Sequence, residues 1–229
     1  MGDYRFLLDT DNAKDHLSHY EYTATDDTIR KIVKDILWAK GEDADLNNID
    51  VSAVTNMSNV FDSMGFRGDI SQWDVSNVKT FRRMFNECTK FDCDISNWNT
   101  KNAVDMSEMF RRCHKFNQPI GKWDVNNAKD MSAMFYNCYN FDQDLGDWDV
   151  RKVKYMTKMF MTCSDFKGTG IGKWNMRNVE DISWMLYCCD AFSEDITNWK
   201  LHSVEKYEDY FYGTDSLQNP RCRPMISVH

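Results

Sequence analysis

Trp123-Asp124-Val125-Asn126-Asn127-Ala128-Lys129-Asp130-Met131-Ser132-Ala133-Met134-Phe135-Tyr136-Asn137-Cys138-Tyr139-Asn140-Phe141 is one copy of a phrase that recurs along the chain. Its Trp is matched by Trp73, Trp98, Trp148, Trp174 and Trp199, so the steps are 25, 25, 25, 26 and 25 residues. The extra residue of the longer step falls in Gly168-Thr169-Gly170. Internal periodicity of this kind decides architecture before any single residue does.

Around each Trp stands a hexapeptide with apolar residues at positions 1, 4 and 6, such as Ile120-Trp123-Val125 and Leu145-Trp148-Val150. One period earlier Leu46-Ile49-Val51 has the same form, so units start near 46, 70, 95, 120, 145, 171 and 196. The second half of each unit changes period. Met131, Met134, Phe135, Cys138 and Phe141 fall at i, i+3, i+4, i+7 and i+10, the face of a short helix. Asp105, Asp130 and Asp181 precede such stretches and are suited to cap them.

A unit of strand, turn and short helix cannot bury its apolar face alone and must stack on its neighbours. The sequence therefore predicts a right-handed α/β solenoid of about seven coils over 46–217, because strand-helix-strand crossovers take that hand. With parallel strands about 4.8 Å apart, seven coils make a sheet roughly 34 Å across. A lead and capping helix occupy 1–45. Within it Ile29, Ile32, Val33, Ile36 and Leu37 form an amphipathic face, Thr25 or Asp26 can cap it, Gly41 ends it, and Trp38 is expected to cover the first coil. At the other end Val204, Tyr207, Tyr210, Phe211 and Leu217 are a degenerate copy, read as a C-terminal cap, before a tail at 218–229.

Composition agrees with a folded chain. In 229 residues, 42% are apolar and 14% aromatic, which excludes intrinsic disorder. The 36 acidic against 28 basic side chains give a net charge of −8, which argues against nucleic acid and anionic membrane as general partners. No run of residues is apolar enough for a membrane span, and the first residues resemble neither a signal nor a transit peptide. The expected location is therefore cytoplasmic, or inside a virion or other assembly.

These residues resemble a known family, the BspA-like leucine-rich-repeat proteins with "domain of unknown function 285" (DUF285) repeats. The likeness rests on the phrase Trp-Asp-Val-Ser-Asn-Val followed by Met-x-x-Met-Phe-x-x-Cys-x-x-Phe, seen at 73–91 and 123–141, and covers about residues 26 to 217. It implies a leucine-rich-repeat fold and no catalytic residues. Such repeats occur in bacterial surface proteins, mycoplasmas, protists and large DNA viruses.

Residues that look chemical are absorbed by the repeat. Cys88, Cys113, Cys138, Cys163 and Cys189 recur at one phase and are read as buried thiols, since no Cys-x-x-Cys pair or nearby His gives a zinc spacing. The Met ladders fill core gaps. The five His are scattered, no catalytic motif is present, and Asp9-Thr10-Asp11-Asn12 lacks the Gly and Glu of a calcium loop. No cofactor and no metal are expected.

The outward side of the Trp segments remains. One column holds Asp74, Asn99, Asp124, Asp149 and Asn175, and its neighbour Lys101, Asn126, Arg151 and Arg177. They read either as polar side chains bonded to nearby loop backbone or as a recognition surface for a protein. The functional expectation is a non-enzymatic protein-protein interaction or scaffolding module that joins a homo- or hetero-assembly through these residues. The alternatives are a minor capsid or virion protein of a large DNA virus, then a surface adhesin, which the missing export signal disfavours, and last an enzyme.

Overall fold

A computed structural model describes residues 21–210. The expected α/β solenoid of seven strand-turn-helix coils is not found. The described chain holds one parallel sheet of two short strands, β1 (Tyr22–Thr23) and β2 (Ile49–Asp50), one α-helix, α1 (Ile29–Lys40), and two single 3-10 turns at Ile120–Lys122 and Ile171–Lys173. Neither the sheet behind the Trp segments nor a wall of helices exists among these residues. The 25-residue repeat is built from turns instead.

The reason lies in the backbone of the Met-Phe-Cys stretch. Ala133 and Asn137 sit in the left-handed region at φ 53° and 59°, as do Glu108 and Arg112 one unit earlier and Lys158 and Thr162 one unit later. A left-handed residue at every fourth position stops the i to i−4 ladder of a helix. The N–H groups go elsewhere. Those of Met131, Ala133, Phe135 and Asn137 donate to the carbonyls of Tyr155, Thr157, Met159 and Met161 in the next unit, at 2.8–2.9 Å. Those of Met134, Tyr136 and Cys138 close three-residue turns back to Met131, Ala133 and Phe135. Ser132 N–H donates to the Asp130 carboxylate at 2.8 Å. Every amide from 131 to 138 is thereby satisfied without a helix.

Two successive four-residue turns place Met131, Met134, Phe135 and Cys138 on one side, as a helix would. The apolar spacing alone cannot tell them apart. Asp105, Asp130 and Asp181 keep a related role: their carboxylates accept the N–H of Ser107, Ser132 and Ser183, heading turns where helix caps were expected.

Successive units are joined by single parallel bridges, Asn56 to Thr80 to Asp105 to Asp130 to Tyr155 to Asp181 to Lys206, one residue wide. The Trp segments are tied by side chains. Trp123 Nε1 donates to the Ile95 carbonyl of the preceding unit at 3.1 Å, and the five other repeat Trp do the same at 2.8–3.3 Å. Cys138 Sγ donates to the Phe110 carbonyl at 2.9 Å, and Cys88, Cys113, Cys163 and Cys189 repeat the contact. The Cys ladder is thus a set of buried, free thiols.

Between these ladders the core is continuous. Phe85, Phe110, Phe135 and Phe160 stack with ring centroids 5.5–5.7 Å apart, and Trp98 lies 6.4 Å from Trp123. Each fully buried Phe contributes about 1.5–3 kcal/mol relative to exposure, so stacking the units drives their formation. The Gly168-Thr169-Gly170 insertion is taken up as a tight turn with both glycines left-handed, at φ 82° and 83°. A Cβ on Gly168 would stand 2.3 Å from the Phe192 ring.

At the N-terminal end α1 lies where the sequence places a helix, buries Ile29, Val33 and Ile36, and ends at Gly41 with φ 92°. Two expectations about it fail. Trp38 is 90% exposed and covers nothing. Thr25 and Asp26 do not cap α1: its N-cap is Thr28, without a side-chain bond. Asp26 reaches instead to the first unit, where its Oδ1 accepts the N–H groups of Thr55 and Asn56 at 2.7 and 3.0 Å. Inside the array the corresponding N–H groups of Val104 and Asp105 share the Lys79 carbonyl. The Asp26 carboxylate therefore replaces the carbonyl of a missing preceding unit. At the other end Tyr207 is 38% exposed. The expected cap residues Phe211 and Leu217, the tail at 218–229 and the motif at 9–12 lie outside the described residues.

Candidate functional site

The two outward columns close on themselves. Asp74 accepts the N–H of Ser76 at 3.0 Å, Asp124 that of Asn126 at 3.1 Å, and Asp149 that of Arg151 at 3.2 Å. Asn99 and Asn175 hold Lys101 and Arg177 more loosely, both at 3.4 Å. Each acid or amide thus heads a turn whose next-but-one residue is its neighbour in the second column. Arg151 goes further, laying its guanidinium on Asp149 with Nη2 to Oδ2 at 2.6 Å. That contact holds the Asp149 carboxyl below the usual range and raises the Arg151 guanidinium. Lys101 and Arg177 are exposed and make no ion pair among the described residues.

The adjoining column, absent from the expected site, carries the inter-unit bonds. Asn77, Asn102, Asn127 and Asn178 donate their side-chain amides to the carbonyls of Ser52, Ser76, Lys101 and Arg151, at 2.7–2.9 Å. A second polar ladder lies after the Phe of each unit. Asp92 Oδ1 accepts the N–H of Asn117, Asn117 Oδ1 that of Asp142, and Asp142 Oδ1 that of Lys167. Much of the acid and amide excess is consumed as mortar between units.

A third surface is free to differ from unit to unit. It is the outward side of the double turns, two, three, six and seven residues beyond each bridging residue, apart from Asn86, Ser107 and Ser183, which are buried. In the first three units it carries Asp62, Arg83, Glu87, Glu108, Arg111 and Arg112, linked by ion pairs such as Arg112 Nη1 to Glu87 Oε1 at 2.8 Å and Arg83 to Asp62 at 3.4 Å. In the next three it carries Ala133, Tyr136, Met161 and Trp184. Two cations lie over rings there, Arg111 5.3 Å from the Tyr136 centroid and Lys158 Nζ 4.9 Å from that of Trp184. A shallow groove of about 390 Å³ runs along this wall between Arg82, Asp105, Ser132 and Lys158.

The thiols offer little reactivity. Burial pushes Cys88 up to about 12 and the half-buried Cys93, beside the Asp69 carboxylate, to about 11. Neither is a thiolate at neutral pH. Among the described residues no three His, Cys, Asp or Glu side chains are grouped to hold a metal ion, and no helix is long and apolar enough to cross a membrane.

A family model described as "Mycoplasma protein of unknown function, DUF285" matches residues 31–146 and 119–222. The chain belongs to the DUF285 family. No curated protein and no solved structure matches it. The DUF285 match spans the Trp, Asn and Cys ladders together, so the residues that carry the family phrase here are those that bind one unit to the next.

Proposed function

We propose that this DUF285 chain is a non-enzymatic protein-interaction or scaffolding module. The observation that carries the reading is the contrast between two sets of repeated positions. Trp, Phe, Cys and Asn recur because each bonds or packs to an adjoining unit, whereas the outward side of the double turns changes along the array from charged to aromatic and then to acidic at Glu208 and Asp209. A rigid backbone with a variable face is suited to recognise a partner surface, since little conformational entropy is lost on binding. A nearer kinship to BspA-like surface proteins belongs to this proposal and rests on the Trp-Asp-Val phrase.

The face differs from that expected. Asp74, Asn99, Asp124, Asp149 and Asn175 are engaged by their own backbone, and Arg151 by Asp149, so these groups would have to leave existing bonds to meet a partner. The reading is tested by affinity capture from the native source with two variants of the full chain. A partner held by the wild type and by Asp124→Lys/Arg177→Glu, and lost with Arg112→Glu/Trp184→Glu, supports the turn wall. Loss with the first pair alone returns the site to the Trp columns. Turnover of a small molecule by the purified chain would overturn the non-enzymatic reading.

A further inference from the structure

The groove on the turn wall crosses the four units bridged at Thr80, Asp105, Asp130 and Tyr155. Its shape comes from one residue. At the third position beyond the bridge the flanking units carry Glu108 and Lys158, whereas the unit between them carries Ala133, so a notch opens there. The backbone is alike in all three, at φ 56°, 59° and 53°. The polar groups around the notch are only partly engaged. Ser132 and Thr157 are half-buried, and neither hydroxyl makes a hydrogen bond among the described residues. Asp105 and Asp130 each use Oδ1 to head their own turn and leave Oδ2 without a partner there. The exposed Arg82 guanidinium makes no ion pair among the same residues. Hydroxyl and cationic donors thus stand beside carboxylate acceptors in successive units.

Three features select the ligand. The groove's charges cancel, Arg82, Arg111 and Lys158 against Asp105, Glu108 and Asp130, so a polyanion or polycation would meet as many like charges as opposite ones. Ala133 is the one wholly apolar side chain in the lining, which gives an apolar ligand little to bury against. The N–H groups of Arg83, Glu108, Ala133 and Lys158 already donate to the next unit at 2.8–3.0 Å, so an extended peptide finds no free backbone edge to join. A peptide is also out of step, rising about 3.3 Å per residue against units about 4.8 Å apart. A chain of neutral pyranose rings meets all three conditions. Each of its hydroxyls both donates and accepts, it carries no charge, and one ring advances by close to one unit.

We propose that this groove binds a neutral glycan, one pyranose per unit. Sugar hydroxyls donate to Oδ2 of Asp105 and Asp130 and accept from Arg82, Ser132, Thr157 and Lys158. This is a ligand beyond the protein partner proposed for the same wall, and it does not depend on that partner. The groove is shallow and open to water, which competes for every bond, so the dissociation constant is on the order of 1 mM.

The test is a titration of the full, isotope-labelled chain with neutral oligosaccharides of glucose, N-acetylglucosamine, mannose and xylose, read from amide shifts in NMR spectra. At least one series should bind, with affinity rising about tenfold from disaccharide to tetrasaccharide and levelling off once four units are filled. Ala133→Lys fills the notch with the side chain that Lys158 already carries on the same backbone, and should abolish binding. Ser132→Ala/Thr157→Val removes two hydroxyls that bond nothing in the free chain, and should weaken binding about tenfold with an unchanged melting curve. Asp124→Lys, on the Trp columns, should leave it intact. The proposal is overturned by no shift with any hexasaccharide at about 10 mM, tenfold above the expected constant. Binding that survives Ala133→Lys, or a preference for polyglutamate or polylysine over all four sugars, overturns it equally. The protein-partner reading is decided separately, by Arg112→Glu/Trp184→Glu, and stands if no sugar binds.

Discussion

Replacing Ala133 by Gly distinguishes a double turn from a helix by the sign of its effect. At φ 53° an L-residue with a Cβ sits in the left-handed region, at a cost of about 1–2 kcal/mol. Gly removes that cost, while the added freedom of the unfolded chain subtracts about 0.5–1 kcal/mol. The balance is a stabilisation of about 0.7 kcal/mol. In an α-helix the same change would destabilise by about 1 kcal/mol. The companion variant Ala133→Val should cost well over 1 kcal/mol, because a β-branched side chain fits poorly at positive φ, whereas a helix would lose only about 0.5 kcal/mol. Urea unfolding followed by circular dichroism reads both. With a slope near 2.5 kcal/mol per molar, Ala133→Gly should raise the midpoint by about 0.3 M at unchanged slope. Lys158→Gly and Glu108→Gly, at equivalent positions, should move it the same way. A lowered midpoint for all three would refute the turn assignment.

Other consequences follow from the ladders and the ends. Trp123→Phe should destabilise by about 2–3 kcal/mol in chemical denaturation, losing the Nε1 bond and part of a packed ring, while the Ile95 carbonyl keeps the Trp98 N–H. Trp38→Ala, at a side chain 90% exposed, should change stability by less than about 0.5 kcal/mol. Burial pushes the Asp26 carboxyl upward, but hydrogen bonds from Thr55 and Asn56 together with Lys79 outweigh it, so its folded pKa lies below 3.8. Its contribution is therefore complete above the unfolded value and is lost as pH falls through the folded one. Asp26→Ala should cost about 1 kcal/mol at neutral pH, and the difference from wild type should vanish in acid melts. A thiol reagent should leave Cys88, Cys113, Cys138, Cys163 and Cys189 unlabelled until the chain unfolds, since all five are buried. Rapid labelling of any of them in the native state would contradict the core assignment.

The repeat, its length, its apolar members and α1 were legible because they follow from spacing. Any structure that stacks the units must put Trp123, Phe135 and Cys138 inside, whether the connecting backbone is helical or turned. Membership of DUF285 was legible for the same reason. Asp124 and Arg151 are exposed, but their chemistry was open in the sequence. Whether a polar side chain serves its own backbone or a partner depends on a distance of two residues folded into a turn, which no column of residue types contains.

What the sequence determined by itself is which residues are equivalent and which of them avoid water. What only the tertiary structure decided is the backbone between them. Met131, Met134, Phe135 and Cys138 satisfy a helix and a pair of left-handed turns equally well. The choice falls to the turns because the next unit offers four carbonyls to Met131, Ala133, Phe135 and Asn137, partners that exist only once a neighbouring unit has folded alongside. The same nonlocal cause turns Asp26 from an expected helix cap into the stand-in for an absent unit, and leaves Trp38 in water.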